Sequence, residues 1–166
     1  HESLKRVDYD SKILVAEKTT NLKDVICDQN FLHKFIWDQK KKISRNLKYF
    51  FKSNNKNTHS INFFNSNIIS QIKEINPDVI NIHWIGNEFI SLKQISKIKK
   101  PIIWTLHDMW LYCGAEHYTS DKRFVDGYKK TNRDMSETGL DINQWVWRRK
   151  KKYLDKNIKI ISTTSW

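Results

Sequence analysis

The chain has 166 residues, enough for one domain with a real core and too few for two ordinary ones. Apolar residues make up 39% and charged residues 29%, with only 4 Gly and 2 Pro, which excludes a disordered tail, a collagen-like repeat and a flexible linker. Lys and Arg number 30 against 18 Asp and Glu, and the formal net charge of +12 predicts attraction to anions: nucleic acid, anionic lipid or phosphorylated substrates.

Leu4 and Val7 are spaced as on the end of a helix, and an α/β domain that opens inside a helix is expected to lack its start. KILVA (12–16) is an apolar, branched run that predicts a buried strand. From 30 to 52, Phe31, Leu32, Phe35, Ile36, Ile43, Leu47, Phe50 and Phe51 fall at helical spacing, with Lys40, Lys41, Lys42, Arg45 and Lys48 on the other faces. SNNKNTHS (53–60) reads as a polar loop. Ile68, Ile69, Ile72 and Ile75 predict a helix capped by Ser66 or Asn67 and stopped by Pro77. VINIHW (79–84) predicts a strand. Ser91 caps a helix whose inner face is Leu92, Ile95 and Ile98, and Pro101 opens the strand IIWTLH (102–107).

Residues 108–141 show no clear period. A loop that long in a compact domain is functional or disordered, and Trp110, Tyr112, Tyr118, Phe124 and Tyr128 argue for order. Asp141 or Asn143 caps a last helix through INQWVWRRKKKYLD (142–155). IKIIST (158–163) is the last strand, after which Ser165 and Trp166 should open another helix. Strands alternating with helices predict the α/β class. KILVA, VINIHW, IIWTLH and IKIIST then form one parallel sheet covered by helices on both faces, with the helix from Leu92 to Lys99 as a crossover.

No apolar run approaches the ~18 residues of a membrane helix, and no secretory leader is visible in the opening HESLKRVDYD. Cys27 and Cys113 lie far apart, so neither a disulfide framework nor a four-Cys metal site is expected. A reducing, cytoplasmic compartment with buried or half-buried thiols is the expectation.

In parallel α/β sheets, ligands bind beyond the carboxyl ends of the strands. His83, Trp84, Gly86 and Asn87 follow one strand; His107, Asp108 and Trp110 follow another. If those strands are neighbours, His83 and His107 face one crevice. His107 reads as a polar contact to a ligand or as a cap on its own strand. Asp108 fixes a histidine tautomer or forms a turn. His83 lines the crevice or packs under Trp84, and Gly86 permits close approach of a ligand or only a tight turn. Glu116, His117 and Tyr118 line a pocket or anchor the long loop. His83, His107, Asp108 and His117 are residue types that suit Zn²⁺, but their spacing matches no compact ligand motif, so no metal is expected. Trp104 and Trp145 read as core, while Trp147 has a second reading as an interfacial anchor. The runs 40–42 and 148–152 read as solvated basic faces, or as attraction for anionic lipid or a diphosphate-linked acceptor.

The stretch PDVINIHWIGNEFISLKQISKIKKPIIWTLHDMWLYCGAEHYT (77–119) resembles the central part of the N-terminal domain of family 4 glycosyltransferases, with closest likeness to bacterial enzymes of surface-polysaccharide assembly. RFVDGYKKTNRD and INQWVWRRKKK continue the likeness, ISTTSW resembles that family's strand and following helix start, and SKILVAEK resembles its second strand. TLHDMW together with GAEHY is the most specific part. The resemblance implies a GT-B fold of two Rossmann-like domains, of which residues 1–166 form an incomplete acceptor-side domain without its first strand, its Gly-rich loop or the donor domain. It implies metal-independent sugar transfer with retention of configuration, from a nucleotide sugar held by the missing domain to a lipid-linked or saccharide acceptor. The cytoplasmic face of the cell membrane is the implied location, with peripheral contact to anionic lipid. The motif histidine that contacts the donor sugar maps onto His107, with Asp108, His83, Gly86, Asn87, Trp110, Glu116, His117 and Tyr118 as the expected substrate-binding set. Relatives carry cysteines in the long loop where this chain has Glu116 and no Cys cluster. The alternatives are a basic nucleic-acid-binding module and an inactive remnant of such an enzyme.

Overall fold

The computed structural model describes residues 4, 6–28, 30–47, 49–51, 53–154 and 158–162. The expected helix start at Ser165 and Trp166, and Thr163 of the last strand, lie outside them. The chain divides into two compact units, residues 1–38 and 39–166.

In the first unit, Ile13–Leu14 (β1) pairs in parallel with Val25–Ile26 (β2), in register Ile13↔Val25 and Leu14↔Ile26. Of KILVA only Ile13–Leu14 is strand, and it is not the buried strand expected: Ile13 is exposed and Leu14 half-buried, in a two-stranded sheet with β2 and not in the larger sheet. VI is too short an apolar run to show a period, so its partner was invisible in sequence. Residues 6–8 form a turn closed by Val7 N–H and Tyr9 N–H on Leu4 O. The helix Phe31–Leu47 (α1) starts here and crosses the unit boundary. The Asn30 Oδ1 accepts from Leu32 N–H at 2.9 Å, a side-chain cap. The helix ends at Leu47, short of the expected residue 52, and none of its residues is buried.

The second unit holds the core. Ile80–Ile82 (β3), Ile102–Leu106 (β4) and Ile158–Ser162 (β5) form a parallel sheet in the order β3-β4-β5, with Ile82↔Trp104 and Trp104↔Ile160 in register. β4 alternates buried and half-buried residues along its length, as one covered face requires. Ile82, Ile102, Trp104 and Leu106 join a core with Leu92, Ile95, Ile142 and Val146. The opposite face carries Asn81, Thr105, Lys159 and Ile161, all exposed or half-buried. Among the described residues of this unit, the expected helical cover on both faces is found on one. Asn81 and Lys159 are the reason on the strands themselves: a covered face would have to bury an amide and an ammonium.

The helices form where expected, with adjusted ends. Ile68–Ile75 (α2) stops because Asn76 turns left-handed at φ 50°, its N–H capping Ile72 O, and Pro77 follows. Leu92–Ile95 (α3) opens with a reciprocal cap between Ser91 and Gln94. It makes one turn, not the two expected, and then tightens: Lys97 N–H and Ile98 N–H bond three residues back. Leu92, Ile95 and Ile98 still face the core. Asp141, not Asn143, caps Ile142–Tyr153 (α5) through Gln144 N–H at 2.9 Å.

The long loop is ordered. It holds a short helix Arg123–Asp126 (α4) and a 3₁₀ turn Lys130–Asn132, pinned by buried Arg123, which bonds Asp141 Oδ2 at 2.5 Å, Asn132 Oδ1 and Lys129 O. Trp104 is core, at 4% exposed, but Trp145 is not, at 37%. Trp145 instead stacks on the Arg149 guanidinium, which also covers Phe63. Cys113 is buried and Cys27 half-buried. Among the described residues no helix is long and apolar enough to cross a membrane.

Candidate functional site

Two strand ends make the site. β3 and β4 are neighbours in one parallel ladder, so the residues following them emerge side by side at the carboxyl edge. His83 and His107 do meet there: His83 Nδ1 lies 2.8 Å from His107 Nε2, with ring centroids 5.1 Å apart. Both are exposed, and both line a shallow pocket with Trp84, Thr105, Asp108 and His117. Partial burial lowers the pKa of His83, and the neighbouring His107 charge lowers it further. Tyr118 is half exposed, and its hydroxyl donates to His107 O at 3.1 Å, steadying the backbone at that strand end.

Asp108 does not hold His107. Its Oδ1 accepts from Trp110 N–H at 2.9 Å, a turn bond, and its Oδ2 lies 2.5 Å from His117 Nδ1. Burial alone would raise its pKa; the bonds from His117 and Trp110 outweigh that and hold it below the usual carboxylate value. The far side of His117 continues the chain: Nε2 lies 2.8 Å from Ser60 Oγ. The order serine, histidine, acid is that of a nucleophilic triad, but the surroundings are not. Ser60 is 3% exposed, does not line the pocket and takes Asn87 N–H at 3.4 Å. With no open side to its oxygen, the chain Asp108–His117–Ser60 braces three segments of backbone together. Trp110 completes the brace, buried at 3% exposed, with Nε1 donating to Ser60 O and its ring stacked on His117.

Gly86 and Glu116 leave the expected site. A Cβ on Gly86 would sit 2.4 Å from the Trp84 ring and 2.9 Å from Ser60 Oγ, so this glycine lets Trp84 approach the backbone closely. Asn87 is exposed with φ 56°, in the turn rather than on the pocket wall. Glu116 is fully buried and receives the Tyr128 hydroxyl on Oε1; burial raises its pKa. It anchors the loop from inside.

Buried polar residues escaped sequence reading, Ser60, Glu88 and Lys150 among them. Ser60 lay in an apparently plain polar loop. Glu88, 1% exposed, accepts Phe63 N–H and Phe64 N–H on Oε2 and the Ser44 hydroxyl on Oε1. Lys150 lies in the basic run 148–152, which reads as a solvated face or as attraction for anionic lipid or a diphosphate-linked acceptor. It is 4% exposed, and its ammonium donates to the carbonyls of Trp110, Cys113 and Gly114, 3.8 Å from the Trp110 ring centre. Burial lowers its pKa to about 7, against the pull of Glu116. A signal did exist: Lys150 lies four residues beyond Val146 and eight beyond Ile142, on the inward stripe of α5. Cys113 beside it is inert as a nucleophile, since burial and then Glu116 push its thiol up to about 12.

Among the described residues no group of three or more His, Cys, Asp and Glu is disposed to hold a metal. The arrangement offers two exposed imidazoles and a half-exposed indole (Trp84, 47%) over a braced floor at the carboxyl edge of the sheet. No protein-family model matches the chain, and no curated protein or solved structure matches it at a significant level.

Proposed function

We propose that the chain is the acceptor-side, Rossmann-like part of a retaining glycosyltransferase of the GT-B type, with His107 as its contact to the transferred sugar. The observation that carries this reading is the convergence of His83 and His107, 2.8 Å apart and exposed, beyond the carboxyl ends of two adjacent parallel strands. That is where an open α/β sheet presents its ligands. The likeness of TLHDMW and GAEHY to family 4 enzymes supports it, and the α/β class with parallel strands is compatible with it.

On this reading the nucleotide sugar is held by a domain outside residues 1–166, and a lipid-linked or saccharide acceptor enters from this side. The chain's own share of the chemistry is to orient the sugar with imidazole and hydroxyl contacts and to keep one wall of the cleft apolar through Trp84. A contact that tightens as the sugar departs lowers the barrier, whereas one of constant strength only aids binding. No metal is required in this scheme. The +12 charge fits an anionic membrane or a diphosphate-linked acceptor at the cytoplasmic face.

The test is sugar transfer by the full-length protein containing this chain, followed as nucleoside diphosphate release from UDP- or GDP-sugars with a membrane lipid extract as acceptor. Release that requires the extract supports the reading; no release with any sugar nucleotide rejects it.

A further inference from the structure

The outward face of α5 is basic and aromatic. Trp145, Arg148 and Lys152 are spaced i, i+3 and i+7, so they share one row; all three are exposed, as is Lys151. The helix, Ile142–Tyr153, contains no Asp or Glu. Phe63, 48% exposed, lies beside the row, its ring centroid 5.7 Å from that of Trp145. Arg149 fixes the pair. Its guanidinium donates to Ile61 O at 2.8 Å and to Asn62 O at 3.2 Å, and it lies 4.9 Å from the Phe63 ring centre and 4.8 Å from that of Trp145. The two rings are thus held at the surface by a group anchored on backbone. The acid whose charge reaches Arg149 is Glu88, which is 1% exposed and bonded to Ser44 and to the amides of Phe63 and Phe64. Asp141, at the start of the helix, is bonded by Arg123. Both acids are already engaged, so neither offsets the row.

We propose that this face rests on an anionic lipid bilayer, with the Phe63 and Trp145 rings at headgroup level and Arg148, Lys151 and Lys152 on lipid phosphates. The match is of charge and polarity together: a helix without acids, and two large rings set among cations. Long basic side chains lay their stems over apolar surface and keep their heads at the phosphates. An indole, apolar in body with one N–H, suits the same level. A single-stranded nucleic acid fits less well. Stacked bases need free ring faces and polar side chains for their edges. Here the rings abut each other, one guanidinium covers both, and the exposed residues of α5 are Trp, Arg and Lys, without an amide or hydroxyl. The net charge of +12 by itself names no surface; the row on α5 does.

The test is cosedimentation of the full-length protein containing this chain with vesicles of phosphatidylcholine, alone or mixed with phosphatidylglycerol, at low and high salt. Binding should need phosphatidylglycerol and fall as salt rises. Arg148→Gln with Lys152→Gln should weaken it about thirtyfold, at roughly fivefold per basic residue near such a surface. Lys73→Gln with Lys122→Gln removes the same charge from exposed positions on α2 and the long loop, and should weaken it far less. Phe63→Ala should weaken it severalfold at both salt levels. All four charge positions are exposed, so both double variants should melt with the native protein. Equal weakening by the two double variants would overturn the proposal, since net charge would then suffice. Failure to bind the anionic vesicles would also overturn it. Random single-stranded RNA whose binding is lost with Arg148 and Lys152, while vesicle binding stays intact, would assign the face to nucleic acid instead. Sugar transfer fails separately: loss of the bilayer contact leaves a saccharide acceptor open, and absence of nucleoside diphosphate release leaves the vesicle result intact.

Discussion

Asp108 Oδ2 lies 2.5 Å from His117 Nδ1, nine residues on, and the neighbouring His107 is left to pair with His83. The acid next to the candidate catalytic histidine thus acts on the loop, while the exposed imidazoles stand apart from it. This separation of bracing from exposure gives each group its own expected phenotype.

Asp108→Ala should destabilise the second unit by about 2 kcal/mol, the usual cost of a charge-assisted hydrogen bond lost in a mostly buried place. The carboxyl pKa is depressed in the fold. Its contribution is therefore present above the unfolded-state value of 3.8 and fades as pH falls through the lower folded value. Urea melts at neutral and acid pH should show the native and mutant curves apart at the first and converging at the second.

Lys150 should give the opposite slope. Its folded pKa is lowered to about 7 from 10.5, so between those values the unfolded chain binds more protons and stability rises with pH. Comparison with Lys150→Met over pH 7 to 8.5 isolates this contribution below the range where Cys113 and Tyr128 begin to matter. The stability difference between native and mutant should grow across that window. A difference that stays flat would mean that the three carbonyls keep Lys150 charged throughout.

Gly86→Ala should cost about 1–3 kcal/mol by overpacking. The added Cβ falls 2.4 Å from the Trp84 ring. Trp84→Ala should relieve most of that cost, so thermal melts of the two singles and the double should be strongly non-additive. Additive losses would place the strain elsewhere.

Sequence pattern revealed the elements that bury a periodic face. β4, with Ile102, Trp104 and Leu106 inward, and α5, with Ile142 and Val146 inward, follow from spacing alone. The meeting of His83 and His107 followed from placing their strands side by side. What escaped has a common cause. β2 is too short for periodicity, and it pairs KILVA away from the main sheet. Ser60, Glu88 and Lys150 are polar residues whose burial depends on partners 25 or more residues away in sequence: Ser60 on His117, Glu88 on Phe63, Lys150 on Trp110. Local composition assigns such residues to the surface, because burying them is unfavourable until the distant partner is in place.

The central claim is that His107 touches the sugar being transferred. Its most direct test is the turnover of full-length His107→Ala enzyme, measured on the same preparation as its melting temperature. His107 is exposed, so the account predicts an unchanged melt. Turnover should fall roughly a hundredfold, the ~2–4 kcal/mol typical of one contact made in the transition state, with the loss in kcat as well as in kcat/KM. A mutant that melts like the native enzyme and keeps near-normal kcat would contradict the assignment.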